Sequence, residues 1–240
     1  MIDTLVLLAG GLATRLKPVT ETIPKSMIEV AGKPFIEHQL ILIKKNGISN
    51  VIICAGKFGE IIQEFTDRNN SFDLNIKYSF DGSKLLGTGG AVLKALEVAG
   101  ENFFVMYGDS YLTAEFREIG NYFISNDANG LMTVYRNENK FDKSNVEYSD
   151  GKIIRYDKKS ADDKMKFIDY GLGIFNRSAF NEFKDQDVFD LERVYQSLLL
   201  KDQLTGYEVK ERFYEIGSFN GLEETKKFLS EKKADQAKEF

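Results

Sequence analysis

The sequence is sparing in the residues that build several common kinds of site. It has one cysteine, Cys54, and one histidine, His38. One cysteine cannot close a disulfide within the chain, and no cysteine–histidine cluster is present to hold zinc. Mechanisms that need a second imidazole beside a serine or cysteine nucleophile are excluded for the same reason. Proline is confined to Pro18, Pro24 and Pro34, and there is neither a low-complexity linker nor an internal repeat. No apolar run approaches the roughly 20 residues that span a bilayer. The short apolar start, Met1 to Ala9, has neither a basic flank nor a cleavage signal. The net charge is −5, so no general attraction draws the chain to nucleic acid or to an anionic membrane. The expected location is the cytoplasm, with neither nucleic acid nor membrane as a partner.

What is present is ordinary globular material. With 240 residues, 42% of them hydrophobic, the chain can bury a substantial core, and one domain is expected over residues 1–240. A polyanionic ligand would have to be held by local groups, because the overall field is mildly repulsive.

Thr4 to Ala9 reads as a buried strand ended by Gly10-Gly11. Pro34 to Asn46 carries apolar residues at helical spacing (Phe35, Leu40, Ile43), and Gly47 supplies a stop. The pattern then predicts strands over Val51–Ala55, Ile76–Phe80 and Phe103–Tyr107, with helices over Gly59–Thr66 and Gly89–Ala99. Strands alternating with helices imply a mixed, mostly parallel sheet covered on both faces, an α/β/α sandwich of Rossmann-like type. After Asp109 the pattern loosens. Strands are predicted over Leu131–Tyr135, Val146–Tyr148, Ile153–Tyr156 and Asp169–Phe175, and helices over Leu191–Leu200 and Leu222–Leu229. The first half, to about residue 110, is expected to bind a nucleotide, and the second half, to about residue 230, an acceptor. Cys54 reads as a buried small hydrophobe, His38 as a packing or surface residue, and Glu231 to Asp235 as a solvated helical face.

The chemistry begins where the first strand ends. Leu8-Ala9-Gly10-Gly11 puts two glycines directly after a strand, where backbone can approach a ligand and turn N–H groups towards phosphate oxygens. The loop has neither the GK[ST] of a P-loop nor the G-x-G-x-x-G dinucleotide spacing. It adds two fixed cations instead, Arg15 and, ten positions later, Lys25. A guanidinium fork and an ammonium suit a triphosphate undergoing displacement. Gly89 opens a predicted helix whose preceding loop, with Gly87 and Thr88, offers free N–H groups; a plain flexible connection is the other reading. Asp109 follows a buried strand, where ligands of open α/β sheets gather, and its carboxylate suits Mg²⁺; a turn cap is the alternative.

G-G-x-x-T-R-L followed by Pro24-Lys25 resembles the signature of sugar-1-phosphate nucleotidyltransferases. The likeness continues through Gly32-Lys33-Pro34, Leu86-Gly87-Thr88-Gly89-Gly90-Ala91, Gly108-Asp109 and Ile216-Gly217. The Leu-Gly-Thr-Gly-Gly-Ala segment looks most like members acting on heptose 1-phosphate with GTP, or on N-acetylmuramate 1-phosphate with UTP. The resemblance implies a magnesium-dependent transfer of NMP from an NTP to a sugar 1-phosphate, with release of pyrophosphate, in nucleotide-sugar biosynthesis for cell-surface polysaccharide. It implies that Leu8, Ala9, Gly10 and Gly11 contact the nucleotide and that Arg15 holds the triphosphate. Lys25 would bridge the two reacting phosphates, and Gly87-Thr88 would lie beside the base. No hexapeptide repeat is present, so an attached acyltransferase domain is not expected.

The later motifs depart from the family pattern. Asp157-Lys158-Lys159 stands where Glu-Lys-Pro is common, so Lys158 matches the acceptor lysine with changed neighbours. Glu215, in Tyr214-Glu215-Ile216-Gly217, stands where the second metal carboxylate is usually Asp; an exposed carboxylate before a turn is the other reading. Tyr170, Gly171 and Asn145 are further acceptor-site candidates, each of them equally readable as strand packing. These departures keep open a cytidylyltransferase for a non-sugar phosphate, such as phosphocholine or a phosphorylated amino acid. A non-catalytic nucleotide-sugar-binding module is a third reading, and assembly into a homo-oligomer stays open. An already anionic acceptor phosphate needs no general base, which fits a chain with one histidine. Catalysis would rest on positioning and on charge neutralisation by Mg²⁺, Arg15 and Lys25.

Overall fold

The computed structural model describes residues 1–11, 22–160 and 162–236, and its first strand already sets the architecture. Strand β1 (Thr4–Leu8) divides Leu5 and Leu7 from Val6 and Leu8, one pair in each of two separate apolar clusters. A strand that is apolar on both faces has to be covered on both. Before the next long strand come a short ribbon, β2 (Glu29–Val30) with β3 (Lys33–Pro34), and helix α1 (Phe35–Lys45).

β1 lies between β4 (Asn50–Ala55) and β6 (Asn102–Tyr107), and β5 (Asn75–Phe80) pairs with β4, all in parallel. Helices α2 (Gly59–Arg68) and α3 (Gly87–Ala99) connect them. Beyond β6 the pairing changes. After β7 (Ser110–Tyr111) and α4 (Phe116–Ile124) come β8 (Gly130–Arg136), β9 (Val146–Ser149), β10 (Lys152–Tyr156) and β11 (Phe167–Asn176). Helix α5 (Leu191–Leu200) leads to β12 (Leu204–Val209), and β13 (Tyr214–Glu215) precedes α6 (Phe219–Gln236). Among the described residues nine strands form one sheet in the order β5-β4-β1-β6-β11-β8-β12-β10-β9. The sheet is mixed, as expected. Its parallel pairs concentrate in β5 to β6, whereas only β8–β12 is parallel in the rest.

Ile36, Leu40 and Ile43 of α1, Ile62 of α2 and Phe116 and Ile119 of α4 cover the face of Leu5 and Leu7. Ala91 and Ala95 of α3 and Val194 and Leu198 of α5 cover the face of Val6 and Leu8. A third cluster joins Val30, Phe35, Tyr111, Ile216 and Leu229, which seats α6 against the ribbons β2–β3 and β7–β13. Six elements are not predicted from the sequence: the two-residue ribbon strands β2, β3, β7 and β13, and the longer α4 and β12. Helix α4 carries its signal in Phe116, Ile119 and Phe123, at helical spacing; β12 is masked by Gly206 and Glu208, which break the apolar alternation. Two expectations need correction. α3 opens at Gly87 rather than Gly89, and the Glu231–Asp235 face is not wholly solvated, since the Lys232 Nζ donates to the Tyr111 hydroxyl at 3.1 Å. Cys54 is buried and its thiol is pushed up by burial; half-buried His38 bonds the Val30 carbonyl at 2.7 Å. Among the described residues no helix is long and apolar enough to cross a membrane.

Candidate active site

The carboxyl ends of the parallel strands open into a cavity of about 350 Å³. Leu8, Ala9, Gly10, Gly11, Lys25, Gly87, Thr88 and Asp109, all singled out from sequence, line it together. Arg15 lies outside the described residues.

At one end of the cavity the charged groups meet. Asp109 stands on the turn between β6 and β7, and buried Gln39 pins that turn by donating to the carbonyls of Tyr107 (3.3 Å) and Ser110 (2.8 Å). Lys25 sits in a single 3₁₀ turn after Pro24 and donates to Asp109 Oδ2 at 2.7 Å. The neighbouring Ser26 hydroxyl is 1% exposed, lines the cavity, and has no hydrogen-bond partner among the described residues. The ribbon β7–β13 brings Glu215 opposite Ser110, and the Ile216 N–H donates to the Asp109 carbonyl at 2.9 Å. One carboxylate oxygen of Glu215 accepts the Gly217 N–H, and the other accepts the Ser218 hydroxyl at 2.6 Å. A Cβ placed on Gly217 would lie 2.6 Å from Glu215 Oε2, 3.1 Å from Lys25 Nζ and 3.4 Å from Asp109 Oδ2. Asp109, Glu215 106 residues later and Lys25 84 residues earlier thus converge on a point that glycine leaves open.

The Gly87–Gly90 segment has a different job from the one its glycines suggest. The Phe189 carbonyl accepts the N–H groups of Gly89 (2.9 Å) and Gly90 (3.2 Å), so these are not free for phosphate. Gly87 has φ +72°, and a Cβ there would press within 2.6 Å of the same carbonyl. A Cβ on Gly89 would overlap the Phe189 ring. The glycines therefore let the 187–190 segment pack on the start of α3. The Thr88 hydroxyl accepts the Leu191 N–H at 2.8 Å, which ties α3 to α5. What Thr88 can offer a ligand is backbone rather than its hydroxyl lone pair facing α5.

The second-half candidates divide. Lys158 Nζ donates to the Tyr107 hydroxyl at 3.4 Å and lies 4.0 Å from Asp169 Oδ2, over the rings of Tyr107 and Tyr156. Tyr107 lines the cavity, whereas Lys158 is not among its lining residues. The nearly buried Asp169 carboxylate also accepts the Tyr156 hydroxyl at 3.1 Å and the Gly171 N–H at 3.0 Å. Burial first, and the Asp169 charge second, raise Tyr107 and Tyr156 well above the ordinary phenol range, so both stay protonated donors. Asn145 supports this cage from behind, its side-chain oxygen accepting the Asp169 N–H at 3.0 Å. Tyr170 is a correction: its side chain is buried in the core beside Phe213, with its hydroxyl at the Thr113 N–H, and it offers an acceptor nothing. Gly171 packs beside Ser110.

Sequence reasoning missed Ser26, Gln39, Tyr107 and Asp169, and two further carboxylates that line the cavity, Asp81 and Asp190. Asp81 is half-buried and its carboxyl is raised by that burial, against the opposing Leu86 N–H and Lys94. No motif marked either; Asp81 alone had a signal, as an acidic residue directly after a parallel strand.

A cavity at parallel strand ends, with Lys25 and Asp109 in its lining and Glu215 beside them, suits a phosphate ester whose charge has to be balanced during displacement. The comparisons agree. The D-glycero-alpha-D-manno-heptose 1-phosphate guanylyltransferase of Campylobacter jejuni is 28% identical over 215 residues, 88% of this chain and 93% of that protein. The mannose-1-phosphate guanyltransferase of Hypocrea jecorina is 24% identical over 219 residues, and the match spans 88% of this chain but 60% of that longer protein. The solved structure of HddC from Yersinia pseudotuberculosis complexed with GMP-PN superposes with a TM-score of 0.79 at 23% identity, covering 95% of this chain and 100% of that one, a likeness of fold. The sequence model described as Nucleotidyl transferase matches residues 4–232, and the chain belongs to that family.

Proposed function

We propose that the chain transfers NMP from an NTP to a sugar 1-phosphate and releases pyrophosphate. The observation that carries this reading is the convergence of Lys25, Asp109 and Glu215 at the Gly217 point, at the edge of the strand-end cavity. The acceptor phosphate oxygen attacks the α-phosphorus, a new P–O bond forms, and the bond to the β-phosphate oxygen breaks with its electron pair on pyrophosphate.

Asp109 and Glu215 are hard oxygen donors that fit a Mg²⁺, which usually takes only one or two protein carboxylates beside substrate phosphates. When bound, that ion would neutralise phosphate charge. Lys25, held at 2.7 Å from Asp109, would bridge the α-phosphate and the acceptor phosphate. The Ser26 hydroxyl can donate to a phosphate oxygen beside it. Lys158, steadied by Tyr107 and Asp169, would hold the acceptor. The cage of Asp169, Tyr107 and Tyr156 is filled by the chain's own ammonium, which speaks against a choline-like cationic acceptor there.

The test is a matrix of the four common NTPs and dTTP against sugar 1-phosphates, phosphocholine and phosphoserine, read by pyrophosphate release. Release is expected only with a sugar 1-phosphate. Release with phosphocholine instead would move the assignment to the non-sugar reading, and none with any pair would favour a binding module.

A further inference from the structure

Glu215 is one methylene longer than the Asp that the family pattern has at its place, and the extra length has to be housed. The chain leaves β13, passes Gly217 and enters α6 at Phe219, so Glu215 lies beside the first turn of the next helix. Its two carboxylate oxygens have different neighbours. Oε2 accepts the Gly217 N–H and borders the point that Lys25 and Asp109 also approach. Oε1 accepts the Ser218 hydroxyl at 2.6 Å and lies against Gly221. A Cβ on Gly221 would overlap Oε1 and the carboxylate carbon, and would come within 2.7 Å of the Glu215 carbonyl oxygen. The three atoms nearest to that Cβ all belong to Glu215. Gly221 is buried in α6 with a φ outside the left-handed region, so alanine meets no backbone strain there. Helix propensity favours alanine over glycine at such a position. What stands against a side chain at 221 is Glu215. Ser218 completes the seat: its Oγ donates to Glu215 and accepts the Gly221 N–H at 2.9 Å.

Resting on the reading of Asp109 and Glu215 as holders of a divalent cation, we infer that Gly221 is a positioning residue for Glu215. The place it leaves empty on α6 is what allows a Glu, rather than an Asp, to serve beside Asp109 and Lys25. Gly221 touches neither substrate nor metal. With Oε1 seated against it and tied to Ser218, the carboxylate has one pose, and Oε2 is delivered to the Gly217 point. A methyl group at 221 pushes the carboxylate out of that seat and opens other rotamers to its long stem. A residue that orients a metal ligand without touching the metal governs affinity by about tenfold to a hundredfold. An Asp at 215 draws its carboxylate back by one methylene and leaves the seat vacant. Gly221 therefore matters to the metal only as the partner of Glu215.

Mn²⁺ alone is the probe, its binding to the intact protein followed by electron paramagnetic resonance. The Tm of the metal-free chain is measured beside it, and turnover separately. Gly221→Ala is expected to weaken Mn²⁺ binding about tenfold. It should also lower Tm, although helix propensity alone would raise it. In the Glu215→Asp background the same substitution should weaken Mn²⁺ by about twofold or less and cost less Tm, so the two changes are far from additive. The contact with the Glu215 carbonyl oxygen is common to both backgrounds and cancels in that comparison. Asn220→Ala, at an exposed position of the same turn, should leave Mn²⁺ affinity as it is. Wild-type affinity in Gly221→Ala, an equal loss in both backgrounds by either measure, or no Mn²⁺ bound by the wild-type chain overturns the inference. The expected pattern without turnover on any NTP and sugar 1-phosphate would instead sink the transferase reading and leave this one standing.

Discussion

The two halves of the sheet build their parts of the site by different means. At the ends of β1 and β6, the groups that would meet the reacting phosphates sit on rigid backbone. Asp109 is on a turn pinned by buried Gln39, and Glu215 is fixed by a two-stranded ribbon and by the Gly217 N–H. At the ends of β10 and β11, Lys158 is held by other side chains, namely Tyr107 and Asp169, which lean on Tyr156 and Asn145. The first arrangement gives each group one pose; the second shares one pose among several groups. Loss of a member should therefore be felt in kcat on the first side and in acceptor KM on the second.

The sharpest break in that comparison is at Lys25. If its charge matters more in the transition state than in the ground state, Lys25→Met lowers kcat by about two orders of magnitude, the scale of losing one well-placed donor. Steady-state kinetics with both substrates saturating read this directly. An unchanged kcat with only a raised KM would make Lys25 a binding residue and erase the contrast.

The next effect is at Glu215. Glu215→Gln removes a charge but keeps the hydrogen-bonding shape, so the Mg²⁺ concentration for half-maximal rate should rise about tenfold, while Glu215→Asp keeps measurable activity. A wild-type magnesium titration of Glu215→Gln would leave Asp109 as the single carboxylate of the site. The smallest effect sharpens the other half. Asp169→Asn should raise acceptor KM several-fold and leave kcat near wild type. The double variant with Lys158→Met should be little worse than Lys158→Met alone, because the two residues act through one pose. Full additivity would show that Asp169 does not act through Lys158.

The same contrast explains what the sequence made legible. Gly10-Gly11 and Asp109 follow directly from strand ends, which a short apolar run reveals, and Lys25 is marked by its place after Pro24 in the opening motif. Their place in one cavity needed no knowledge of distant contacts. Asp169, Tyr107 and Tyr156 are common residues in ordinary strands, and they become a cage only once β6, β10 and β11 are side by side. Tyr170 shows the converse error, since a position facing the right region in sequence turned its ring into the core. The glycines of the 87–90 segment are legible only in part. They do permit close approach, but to Phe189 rather than to phosphate, and nothing local announces a partner about a hundred residues away.

That distant partner bears on how the protein comes into being. The glycine surface at the start of α3 and the segment that fills it, with the Leu191 N–H bonded to Thr88, are separated by 103 residues of chain. During synthesis, a nascent polypeptide that has emerged as far as β6 holds the glycines but not Phe189, Asp190 or α5, and so exposes a cleft shaped for a segment still to come. The nucleotide cavity is thus finished late, after a long loop has closed. Nucleotide capture by such a chain would mark the end of folding rather than its first step.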